Sequence, residues 1–131
     1  MIVLDTHTLV WWVSRDPLLS RKAKASIEKE LDGGQILVSS ISAWEIAALV
    51  ARERLVLSMD ATSWFATVGQ LEAVRVVPVD TEIAIKSVEL PGVFHKDPAD
   101  RMIVATARKF SVPLVTKDEK IRAYPHVKTI W

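Results

Sequence analysis

Met1-Ile2-Val3-Leu4-Asp5-Thr6 sets a three-residue apolar run directly against an acid and the start of a helix. Three apolar residues in a row with no alternation read as a strand covered on both faces, the pattern of parallel sheets. Leu9, Val10 and Val13 then continue as a helix that Asp16-Pro17 breaks. Ser20 can cap a second helix ending at Gly33-Gly34. Ile36 to Val38 is the next strand, followed by a strongly apolar helix from about Ser42 to Arg52. A helix near residues 60–71 leads to a strand from Val74 to Val79. Asp80 caps a helix ending before Pro91-Gly92, and the loop from Val93 to Lys96 leads into a helix from Pro98 to Phe110. Pro113 to Thr116 is a strand, Asp118 to Ala123 a short helical turn, and Val127 to Trp131 a last strand. Short apolar strands alternating with helices predict one three-layer α/β domain over residues 1–131. Its central sheet is mainly parallel, with four to five strands flanked by helices.

Composition fits that reading. A chain of 131 residues, half of them apolar, can bury a sizeable core as one domain. Zero Cys excludes disulfides, thiolate zinc sites and a Cys nucleophile, and it agrees with a cytoplasmic location. The first residues lack a basic region and read as a strand, not a signal peptide. No apolar stretch approaches the roughly 20 residues of a membrane span. Seventeen Lys and Arg against 16 Asp and Glu give no overall attraction to nucleic acid. Basic residues do gather around the later acids, at Lys96, Arg101, Arg108, Lys109, Lys117, Lys120 and Arg122. Most read as solvated helix faces, yet such flanking charge is what a phosphate backbone needs for positioning.

Four carboxylates, Asp5, Glu45, Asp100 and Asp118, sit at strand-to-helix junctions or one turn inside the helix. Parallel α/β sheets gather functional groups at the carboxyl ends of their strands, so these acids are expected to meet. Four acids without Cys suit a hard divalent cation such as Mg²⁺ or Mn²⁺. Each also has a plainer role. Asp5 can be an N-cap, a duty that Thr6 or Thr8 could take instead. Ser42-Ala43-Trp44-Glu45 fits a capping box in which Glu45 reaches back to the Ser42 N–H. Glu45 is, however, the only charge between Ser42 and Ala51, and it shares a helical face with Ile41 and Leu49. Asp97 stands at an N-cap with Pro98 at the favoured first helical position, which leaves Asp100 as the ligand, though both could serve. Asp118 or Thr116 can cap the last short helix. Individually these acids are ambiguous; together they form a pattern.

Other features carry less. His7 and His95 lie near the acids without a partner at metal-ligand spacing, and read as polar surface. Five Trp is a high count; Trp11, Trp12, Trp44 and Trp64 lie on apolar helices and read mostly as core, some of them covering a dimer or partner surface. No Gly-rich phosphate loop is present.

Read together, IVLDTHTLVWW (2–12), SSISAWEIAAL (39–49), DPADRMIVATAR (97–108) and LVTKDEKI (114–121) resemble the PIN-domain family, and especially the VapC-type toxins of toxin–antitoxin pairs. The resemblance runs in order over nearly the whole chain. It implies that Asp5, Glu45, Asp100 and Asp118 form the acidic quartet, with Asp97 in the accompanying motif and Thr116 as the small polar residue before the last acid. It implies a Mg²⁺- or Mn²⁺-dependent endoribonuclease, an RNA substrate, a homodimer and inhibition by a cognate antitoxin. Thr116, Arg101 and Lys117 are expected to position the substrate.

The chemistry expected of such a site is metal-assisted phosphodiester hydrolysis leaving 5′-phosphate and 3′-hydroxyl ends. Two alternatives come from other classes. One is a PIN-like RNA- or protein-binding module with a weakened acid site. The other is an Asp-based phosphotransfer protein, against which stands the lack of a second acid two positions after Asp5.

Overall fold

The computed structural model describes all residues, 1–131. Its elements run β1 (Ile2–Leu4), α1 (Thr6–Ser14), α2 (Arg21–Leu31), β2 (Ile36–Ser39), α3 (Ile41–Ala51), α4 (Ala61–Gly69), β3 (Val74–Val77), α5 (Thr81–Val88), α6 (Pro98–Phe110), β4 (Leu114–Val115), α7 (Glu119–Ala123) and β5 (Thr129–Ile130). The five strands form one sheet in the order β3-β2-β1-β4-β5, every neighbouring pair parallel.

Burial follows position in that order. β1, β2 and β4 are wholly buried, whereas both residues of edge strand β5 are only half-buried. Within a strand the side chains alternate between two cores, as a period of two requires. Ile2, Leu4, Ile36 and Val38 point to the side covered by α1 to α4, through Leu9, Ala23, Ile27, Ile46 and Trp64. Val3, Leu37, Val77 and Leu114 point to the side of α5 to α7, through Ile83, Ile103, Val104 and Ile121. The layers are therefore helix, sheet, helix. No helix is long and apolar enough to cross a membrane.

Side chains start most of the helices. Ser20, Asp60, Asp80, Asp97 and Asp118 each accept a hydrogen bond from the backbone N–H three residues on, satisfying donors that a helix start leaves free. At α6, Pro98 occupies the first turn and Ser111 closes the helix at φ 54°. Trp64 is buried as expected, but Trp44 is 63% exposed because it lies on the outer side of α3, opposite Ile46.

The strand order fixes where a site can form. From β1 the chain steps outward to β2 and β3, then returns to the other side of β1 with β4 and β5. Loops after β1 and β4 diverge there, opening a crevice at their carboxyl ends.

Candidate metal centre

Asp5, directly after β1, and Thr116, directly after β4, meet at that crevice. Asp5 is only 6% exposed. Its Oδ1 accepts from Thr6 N at 2.8 Å and its Oδ2 from Thr116 Oγ1 at 2.7 Å. It is thus both a helix cap and an inward-facing carboxylate, the two roles its sequence left open. Burial pushes its carboxyl above the usual range, partly offset by those hydrogen bonds.

Glu45 does not form the capping box. The helix begins at Ile41, so Ser42 lies inside it, and Ser40 at the N-cap makes no side-chain cap bond. Ser40 is tied instead to the end of β3, donating from its N to Val77 O and accepting from Val79 N on its Oγ. Glu45 is thereby turned toward α1, where Thr6 Oγ1 donates to Oε1 at 2.6 Å and lies 2.8 Å from Ser42 Oγ. Burial raises its pKa, with Asp5 and Asp97 adding to the shift.

Asp97 and Asp100 divide the work as their sequence suggests. Asp97 Oδ1 accepts from Asp100 N at 2.9 Å, and this cap frees the Asp100 side chain. Asp100 is held largely out of water, and its pKa is pushed up to about 8, first by burial and then by the charges of Asp5, Asp97, Asp118 and Glu45. Asp118 caps α7 through Ile121 N at 2.9 Å, while its own N donates to Thr116 Oγ1 at 3.0 Å. All four acids of the expected quartet, with Asp97, are thus within electrostatic reach of one another.

The residues expected to position substrate fare differently. Thr116 is fully buried and holds Asp5 and the Asp118 backbone. Arg101 has other work: its guanidinium donates to the carbonyls of Ser87 and Val88 at the end of α5, and of Phe94 and His95 in the loop before α6. Four carbonyl partners take four of the five guanidinium N–H donors and fix that loop. Lys117 lies over the Trp11 ring at 5.7 Å. Lys109 pairs with Asp80 and Glu82, and Arg108 donates to His126 O, so neither faces the acids. Lys120 lines the mouth of a cavity of about 520 Å³ with His95, Asp97, Asp100, Asp118 and Glu119.

His95 is the site residue that sequence spacing did not reveal. Its Nε2 lies 3.0 Å from Asp100 Oδ2, and one donor atom each from His95, Asp100 and Asp118 fall within 4.8 Å of one another. Its proximity in sequence to Asp97 and Asp100 was the only signal available. Asp5 and Glu45 stand outside this tight triad, although their charges act on Asp100.

The donor set fits a divalent cation. Burial first, and then the neighbouring carboxylates, disfavour the charged form of Asp100; an ion of double positive charge offsets both penalties. The architecture is therefore an all-parallel α/β sheet with an acidic, metal-competent centre at its switch point. Comparison with known proteins makes the assignment specific. The PIN domain family model matches residues 2–127. The chain is 36% identical over 132 residues to Ribonuclease VapC22 of Mycobacterium tuberculosis (strain ATCC 25618 / H37Rv), covering 99% of this chain and 98% of that protein. It is similar to the solved toxin–antitoxin complex from Klebsiella pneumoniae, with TM-score 0.64 and 22% identity over 97% of this chain and 95% of that one. It is also similar to VapC20 of Mycobacterium tuberculosis, described as a Sarcin-Ricin loop cleaving toxin, with TM-score 0.67 and 16% identity over 98% of this chain and 99% of that one. The chain belongs to the PIN-domain family.

Proposed function

We propose that this protein is a Mg²⁺- or Mn²⁺-dependent endoribonuclease and the toxin of a toxin–antitoxin pair, acting in the cytoplasm as a homodimer. The observation that carries this reading is that Asp5, Glu45, Asp97 and Asp118 all bear on Asp100, whose carboxyl is pushed up to about 8 by burial first and then by their charges. Whole-length similarity to a named ribonuclease supports it.

Asp100 and Asp118 would hold the cation directly, with Asp5 and Glu45 as direct or water-mediated ligands. A bound divalent cation supplies an activated water and neutralises charge on the scissile phosphate. Thr116 and Thr6 keep Asp5 and Glu45 aimed inward through the bonds at 2.7 and 2.6 Å. Asp100 would have to release its proton to hold a cation, so metal affinity is expected to climb with pH toward 8. Lys120, in the cavity lining, and Lys117, exposed next to Asp118 in the chain, are cations that would meet the RNA backbone. Water rather than the ribose 2′-hydroxyl is the attacking group in this reading.

The antitoxin would cover the apolar groove beside α1, lined by Val10, Trp11, Val13, Leu55, Leu57 and Trp64. Trp11 connects that groove to the site, since its ring lies 5.8 Å from His7 and under Lys117. The test is expression of the chain alone in cells, followed by mapping of new RNA ends. New 5′-phosphate ends are expected; 2′,3′-cyclic phosphate ends would contradict water as the nucleophile.

A further inference from the structure

We infer that His95 is a nitrogen ligand of the divalent ion and gives this centre a preference for Mn²⁺ over Mg²⁺. The inference rests on the metal-dependent reading above and extends it to a residue outside the acidic quartet.

Three observations carry it. His95 Nε2 is buried and has no hydrogen-bond partner, although Asp100 Oδ2 is only 3.0 Å away; the two atoms are close but not aligned for a hydrogen bond. The one close polar neighbour of Nε2 is thus an acid of the site, at the separation of about 3.0 Å that two adjacent ligand atoms keep on one ion with bonds of ~2.1 Å. Second, one His95 ring nitrogen, an Asp100 oxygen and an Asp118 oxygen lie within 4.8 Å of one another, a few tenths of an ångström beyond the ~4.2 Å that two donors span across one ion with bonds of ~2.1 Å, so a small closure of the side chains completes the set. Third, the imidazole is held in place. Arg101 donates to Phe94 O at 3.1 Å and His95 O at 3.0 Å, fixing the backbone on either side. The ring packs edge-on against Phe94 at 4.4 Å, and Phe94 rests on Tyr124 at 4.7 Å. A rigid imidazole aimed at two carboxylates makes a mixed nitrogen and oxygen donor set. Mg²⁺ favours oxygen donors alone, whereas first-row transition ions bind imidazole more strongly.

Pulsed electron paramagnetic resonance of Mn²⁺ bound to the full-length protein reads this directly, because a ligating imidazole imprints a ¹⁴N coupling on the metal's echo. The wild type is expected to show that coupling, His95→Gln to lose it, and His7→Asn to keep it. Calorimetric titration with each ion should show His95→Gln weakening Mn²⁺ binding about tenfold and Mg²⁺ binding much less. Bound Mn²⁺ without ¹⁴N coupling in the wild type would overturn the inference while leaving the metal-dependent reading intact. Failure of Mn²⁺ to bind at all would overturn both.

Discussion

Thr116 Oγ1 donates to Asp5 Oδ2 at 2.7 Å, joining residues 111 positions apart across the gap between β1 and β4. The same oxygen accepts from Asp118 N at 3.0 Å. One hydroxyl therefore sets the aim of the most buried acid and the start of the helix that carries the last one. Thr116→Val keeps the shape and removes both bonds. Leaving a buried carboxylate oxygen unpaired is expected to destabilise the fold by about 1–3 kcal/mol and to lower cleavage, while Thr116→Ser restores both. Denaturant unfolding beside a cleavage assay checks this.

Arg101 clamps the loop before α6, since four carbonyls take four of its five N–H donors, and it is expected to serve the fold rather than a phosphate. Arg101→Lys cannot reproduce the planar fork. It is expected to cost about 1.5–3 kcal/mol of stability without changing the salt dependence of RNA binding, which counts phosphate contacts. Lys120→Ala is expected to do the reverse, flattening the salt slope with little loss of stability. An Arg101 variant with normal stability and a flattened slope would restore this side chain to the RNA interface.

Protonation of the site should be visible in the metal-free protein. Asp100 has a folded pKa of about 8, well above the usual carboxylate range, and Asp5 and Glu45 are raised as well. A raised folded pKa means the folded state binds protons that the unfolded chain releases. The contribution to stability is therefore full below pH about 4 and is lost as pH rises through 8. Asp60, Asp80 and Glu30 are shifted downward, so above pH 5 they are ionised in both states and add no slope. Between pH 5.5 and 8 the metal-free melting temperature should fall, and millimolar Mn²⁺ or Mg²⁺ should oppose the fall. A flat profile in EDTA would contradict the crowding of these acids.

Stability and activity should part company at Glu45. Glu45→Gln keeps an oxygen to accept from Thr6 but removes one of the charges that burden Asp100. The metal-free variant should melt a few degrees above wild type at pH 8, while cleavage falls roughly 10²-fold or more, the scale of losing a group that organises the attacking water. Scanning calorimetry in EDTA and initial rates with metal measure the two halves.

How far the sequence carries the reader depends on whether a feature is local. The helix Pro98–Phe110 can be read residue for residue because Asp97-Pro98 marks its start chemically, and the caps at Ser20 and Asp80 are equally local. Asp5 and Asp118 are legible because each follows a strand, β1 or β4, and Glu45 lies a turn inside the helix after β2; Asp100 departs from the expected strand-to-helix junction, since its helix α6 follows a loop from α5 and reaches the site by packing against the sheet. Strand ends are less legible: the strand expected from Val74 to Val79 stops at Val77, before Pro78, which cannot donate to the ladder. The features that were missed depend on partners distant in the chain. At Glu45 the sequence leaves a capping box and an inward-facing acid both open, because the deciding partner, Thr6, lies 39 residues away. Arg101 looked like a free cation because its carbonyls come from two other segments. His95 has no sequence partner at ligand spacing; only the turn of α6 brings Asp100 to it.

Whether this protein cuts RNA is decided by incubating it, purified, with total cellular RNA in Mn²⁺, in Mg²⁺ and in EDTA, beside Asp100→Asn. Metal-dependent ribonuclease activity would give discrete new 5′-phosphate ends only with the cation present, and none from the variant. A folded wild type that binds metal and leaves the RNA intact would contradict it, and would favour a binding module built on the same fold.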